Sequence, residues 1–72
     1  MNTLGGRIKM MMKVRNTSTN EISHDLGVSR QTIHSWTNDR VTPNGNNLNN
    51  LADYLHVSVE WLAFGISKES IK

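Results

Sequence analysis

Apolar residues recur along this chain at three- and four-residue spacing, and polar capping residues stand in front of most groups. Leu4, Ile8 and Met11 form one stripe behind Thr3, which predicts a first helix from Leu4 to about Asn16. Ile22 and Leu26 form a second stripe, with small Ser23 between them leaving room for a neighbouring backbone. Ser18 and Glu21 have the spacing of a capping box, so this second helix should start at Thr19, and Gly27 supplies the left-handed residue that ends it. Val28 follows the turn, and Ser29 caps a third helix running to about Thr37. NDRVTPNGN reads as a loop, because Pro43 cannot sit inside a helix. Asn44 to Asn50 contains five asparagines and resembles a low-complexity linker, but Leu48, Leu51, Ala52 and Leu55 continue through it at helical spacing. That predicts a fourth helix from about Asn46 to His56. Ser58 caps a last short helix, Val59 to Phe64, with Glu60 in its first turn and Gly65 at its end. Trp61 and Leu62 are expected to close the core, ahead of a polar tail. The pattern is all-α.

The segment from Ser18 to Thr37 organises the rest. Wound at about 100° per residue, the third helix puts Thr32, Ile33 and Trp36 on one face. Arg30, Gln31, His34, Ser35 and Asn38 occupy an arc of roughly 140° in which every side chain can donate or accept hydrogen bonds. Two helices about a glycine turn, the second with a donor-rich outer face, form the helix-turn-helix pattern, whose second helix enters the DNA major groove. Arg30 and Gln31 lie at the end that goes deepest, where Arg pairs bidentately with guanine and Gln with adenine. His34 and Ser35, one turn later, are the further base-reading candidates.

The run from Thr19 to Trp36 resembles the Cro/CI-type (XRE-family) helix-turn-helix repressors, with Ile22, Ser23, Leu26, Gly27, Val28, Ile33 and Trp36 at the motif's positions. The similarity extends to Leu4–Asn16, Pro43–Leu55 and Val57–Gly65, about 60 of the 72 residues. The resemblance implies a compact five-helix lambda-repressor-like domain over residues 1–66, followed by a tail at 67–72. It implies a sequence-specific double-stranded-DNA-binding regulator, a phage or prophage repressor or Cro-like protein that binds a palindromic operator as a homodimer. It carries phosphate contacts onto Ser18, Thr19, Ser29, Asn38 and Arg40, and a dimer contact onto the last helix through Val57, Val59, Trp61 and Phe64. The sequence departs from the family in three places. Met12 and Thr37 stand where an Arg–Glu pair is common, Asp39 where Gly is usual, and Thr19 where Gln is usual, which shortens its reach. An antitoxin or restriction-control regulator of the same fold, or a protein-interaction module that retains it, are the competing readings.

Composition narrows the picture further. At 72 residues the chain is one domain, 36% apolar, with no apolar run long enough to span a membrane and no apparent signal peptide. The absence of cysteine excludes disulfides and thiolate zinc sites and agrees with a cytoplasmic setting. Net charge is only +2, yet Arg7, Lys9, Lys13 and Arg15 precede the first acidic residue, Glu21, while residues 41–65 hold two acids and no Lys or Arg. A basic front half predicts a surface turned towards phosphates. Of Met10, Met11 and Met12, core filling with one exposed thioether is expected. Ser23, His24 and Asp25 are successive helical residues that point about 100° apart and cannot form a relay. The three histidines lack metal-ligand spacing, and Gly5-Gly6 lacks the Lys and Ser/Thr of a phosphate loop. No enzyme, cofactor or small-molecule substrate is therefore expected.

Overall fold

Every helix among the described residues begins on a residue whose side chain accepts a backbone N–H. A computed structural model describes residues 3–66 as α1 (Leu4–Val14), α2 (Thr19–Leu26), α3 (Arg30–Thr37), α4 (Gly45–Leu55) and α5 (Val59–Phe64). The acceptors are Thr3 for Gly6, Ser18 for Glu21, Ser29 for Thr32, Asn44 for Asn47 and Ser58 for Trp61. At α2 the cap is reciprocal, since Glu21 Oε1 accepts from Ser18 N at 3.0 Å while Ser18 Oγ accepts from Glu21 N at 3.2 Å. Gly27 and Gly65 end α2 and α5 in the left-handed conformation. Three expected bounds shift. The first helix stops at Val14, and Asn16 has a φ of 54°. The fourth starts at Gly45 because Asn44 is its cap, and ends at Leu55, with His56 turned to a φ of 60°.

The core is built where the stripes meet. Ile8, Ile22, Ile33, Trp36, Leu51, Leu55 and Leu62 are fully buried, joined by Met11 and Ala52. α1 packs on α3 and α5, α2 on α3 and α4, and α4 on α5. Trp61 lies half-buried against this core, where the sequence reading had it closing the interior. The methionines also correct expectation: Met11 is buried, and both Met10 and Met12 are half-buried and pack against the core, so none of the three is a fully exposed thioether. Thioether side chains are long and unbranched enough to pack against the core from its edge. The tail predicted at 67–72 lies outside the described residues.

Polar groups borrowed from elsewhere in the chain complete three helix ends. α1 has no acidic residue in its first turn, and Asp39 Oδ1 accepts from Gly5 N at 2.8 Å. Neither α4 nor α5 has a basic residue in its last turn. Arg15 Nε donates to the Leu55 carbonyl at 3.0 Å, and Arg7 donates from Nε to Leu62 and from Nη2 to Ala63, each at 2.9 Å. These carbonyls are among those a helix leaves unpaired, and a cation there also suits the helix dipole. Arg7 is buried as a result. The basic front half is thus not one phosphate-facing surface, because two of its four cations point at helix C-termini.

Candidate nucleic-acid interface

α3 is anchored by Ile33 and Trp36, at 0% and 1% exposure, which fixes its opposite face outwards. Arg30, Gln31 and His34 are exposed on that face. Ser35 is half-buried at its edge, and its carbonyl accepts from Arg40 N at 2.9 Å and Val41 N at 3.3 Å. Ser35 lies at the limit of the polar sector, where a small rotation of the helix decides exposure.

The turn between α2 and α3 is held from both sides. Gly27 takes a φ of 70°, and Ser23 Oγ donates to the Val28 carbonyl at 2.6 Å. The Ser23 hydroxyl is thereby committed to the turn, while His24 Nδ1 and Asp25 Oδ1 meet at 3.4 Å on the surface. This geometry lays the start of α2 beside the start of α3. Ser18, Thr19, Asn20, Arg30, Gln31 and His34 line one open groove. Arg30 Nη1 donates to Asn20 Oδ1 at 3.1 Å across it. Ser18 and Ser29 are exposed caps at two helix N-termini, where backbone amides favour anions, and Asn38 and Arg40, outside the groove lining, are exposed just past α3. Thr19 is half-buried.

The departures around α3 have local explanations. Thr37 is buried, and its hydroxyl donates to the His34 carbonyl at 3.1 Å, so the position is satisfied without a charged partner at half-buried Met12. Asp39 has a φ of 60°, a conformation that Asp tolerates better than most residues. The chain therefore makes a left-handed turn there without glycine, and the carboxylate is used to cap α1. The Gly5 N–H holds the Asp39 carboxyl below the usual carboxylate range, helped by the Thr3 side chain and by nearby Lys9.

Asn20 is the groove residue that sequence reasoning missed. It interrupts no apolar pattern, and its partner is 10 residues away. The Arg7 and Arg15 caps were missed for the same reason, because their carbonyl partners lie 55 and 40 residues away. Among the described residues, no group of three His, Cys, Asp or Glu could hold a metal ion, and no helix is long and apolar enough to cross a membrane.

A family model for the Cro/C1-type HTH DNA-binding domain matches residues 7–62, which takes in the groove and every core residue. The chain belongs to that family. Among solved structures, it is similar to the P22 c2 repressor protein in complex with a synthetic operator in the presence of Tl+, at 29% identity and a TM-score of 0.85, covering 92% of this chain and 100% of the other. It is also similar to the DNA-binding domain of the P22 c2 repressor determined by nuclear magnetic resonance, at 30% identity and a TM-score of 0.79, covering 83% of this chain and 79% of that one. No curated protein sequence matches. The five-helix arrangement is thus that of a phage-repressor DNA-binding domain, and α2 and α3 are its helix-turn-helix. The Cro/C1-type HTH family is a DNA-binding, non-enzymatic kind of family.

Proposed function

We propose that this domain is a sequence-specific transcriptional regulator of the repressor type, which binds a palindromic operator as a homodimer and acts by occupying it. The observation that carries the proposal is the exposed polar face of α3, where Arg30, Gln31 and His34 stand in one open groove with the N-terminal residues of α2. In this reading Arg30 and Gln31 read base edges in the major groove, and His34 and Ser35 contribute at its rim. Ser18, Thr19, Ser29, Asn38 and Arg40 fix the register on phosphates.

One domain spans too few base pairs to single out an operator, so two copies should occupy half-sites one helical turn, roughly 34 Å, apart. The surface that suits the second copy is on and beside α5. Phe64 is 72% exposed there, with Val57, Val59 and Trp61 half-buried next to it. A large aromatic left in water beside other apolar groups supports this reading. The similarity to a repressor seen with an operator supports the same partner class.

The test is selection of bound duplexes from a random pool at near-physiological salt, followed by sequencing. A two-fold symmetric site with half-sites one turn apart is the expected result. Unenriched sequence would overturn specific readout. On the selected site, Arg30→Ala and Gln31→Ala should each cost about 1–3 kcal/mol and relax the requirement at one base pair. Equal losses on every duplex would reassign these side chains to phosphate. Affinity should also fall steeply with salt, with a log–log slope of about −0.9 per phosphate neutralised.

A further inference from the structure

We propose that Asn20 is a positioning residue for base recognition: it orients the Arg30 guanidinium before DNA arrives, and so sets how stringently Arg30 discriminates. The proposal rests on the base-reading role given to Arg30 above.

Asn20 is the second residue of α2 and Arg30 the first of α3, so the 3.1 Å bond from Nη1 to Oδ1 spans the helix-turn-helix at its DNA-facing end. Both side chains are exposed. An exposed arginine at a helix start has large rotamer freedom, and ordering it on binding subtracts from affinity. A partner that already holds it in the groove removes part of that cost. It also narrows the angles from which the guanidinium can meet a base.

The pairing has a fixed chemical sense. Arginine only donates, so Asn20 must present its carbonyl oxygen to it, and the amide NH2 faces away. One guanidinium N–H is occupied, and the others remain free to meet acceptors such as guanine O6 and N7. In solvent such a bond between exposed side chains counts for little. In the DNA complex, with water displaced, misorientation of the same guanidinium leaves donors unpaired and carries a larger penalty. Asn20 takes no part in the cap of α2, which Ser18 and Glu21 form between themselves, so its truncation leaves the fold intact.

The experiment measures binding of the parent, Asn20→Ala, Asn20→Gln, Arg30→Ala and the Asn20→Ala/Arg30→Ala double variant. Each is titrated with the selected operator, the same operator changed at the pair that Arg30 reads, and a scrambled duplex, with thermal melting in parallel. Asn20→Ala is expected to weaken operator binding by about three- to tenfold and to shrink the ratio between operator and changed operator, at an unaltered melting temperature. Asn20→Gln, which keeps the amide, should recover part of that ratio. In the Arg30→Ala background, Asn20→Ala should have no further effect. Equal weakening on all duplexes, equal weakening with and without Arg30, or no change would overturn the positioning role. If Arg30→Ala loses discrimination while Asn20→Ala retains it, only this inference falls. If the parent itself shows no preference at that pair, the base-reading role of Arg30 falls with it.

Discussion

Gly5→Ala and Gly45→Ala make the same chemical change in the first turns of two helices, and the structure assigns them opposite signs. A Cβ at Gly5 would lie 2.5 Å from the Thr37 carbonyl oxygen, 2.7 Å from that of Trp36 and 2.8 Å from Asp39 Oδ2. Two of these atoms belong to the backbone at the end of α3, so no rotamer change relieves the clash. Forcing an extra carbon into packed surroundings costs about 1–3 kcal/mol, and fixed backbone neighbours put this site at the upper end. Alanine returns about 1 kcal/mol through helix propensity. The net loss is about 2 kcal/mol, against a total stability of about 4–11 kcal/mol for a chain of this length. That corresponds to about 8–16 °C in melting temperature, or about 2 M in urea midpoint for a domain with a small slope. At Gly45 nothing lies within 4 Å of the added carbon, so the same substitution should stabilise by about 1 kcal/mol. Urea denaturation followed by tryptophan fluorescence measures both, since Trp36 is buried in the native state. A Gly5→Ala midpoint at or above that of the parent would refute the close approach of α1 to the end of α3.

Three other substitutions probe parts of the molecule that charge or hydropathy alone would misassign. Arg7→Met should destabilise by about 3 kcal/mol in the same denaturation assay, because it strands the Leu62 and Ala63 carbonyls; the salt slope of DNA binding should stay as it was, whereas a phosphate-contacting Arg7 would lower it by about 0.9. The Asp39 carboxyl is held below its ordinary titration range, so its contribution is fully present above about pH 4 and is lost as pH falls through the lower folded-state value. Asp39→Asn should therefore fall further below the parent in stability at neutral pH than at about pH 2, as read by denaturation across the acid range; a constant gap would refute the assignment. Phe64→Ser should weaken self-association in sedimentation and operator binding together while leaving the melting curve of the monomer nearly unchanged, given its 72% exposure; a collapse of the fold would instead make Phe64 part of the core.

What the sequence showed and what it hid divide by range. Four of the five caps, the Gly27 and Gly65 turns and the α3 faces rest on residues within one turn of each other, and all are legible in sequence. Asn44 was the cap that escaped, hidden among asparagines that all suit the role. Ser35 lies at the boundary of a polar sector, where a few degrees of helix rotation decide exposure, so its half-burial could not be read from the wheel. Gly5 looks like a propensity defect until the end of α3 is placed against it. Arg7 and Arg15 look like solvated charges until the carbonyls they serve arrive from the other end of the chain. The base-reading face was visible early because it departs from the apolar stripe. Asn20 was invisible because it departs from nothing.

The helix ends completed from a distance tie the folding of this small domain into one event. The bonds Gly5–Asp39, Arg15–Leu55 and Arg7–Leu62 span 34, 40 and 55 residues, and each finishes a helix that lacks the matching charge in its own terminal turn. No α5 of six residues persists alone in water, and none of these bonds can form until α1 has docked. Loop closure over such separations comes late, after α2, the turn and α3 have assembled from neighbouring contacts. The backbone amides of α5 should consequently exchange with solvent deuterium through opening of the whole molecule, at the same free energy as the buried amides of α1.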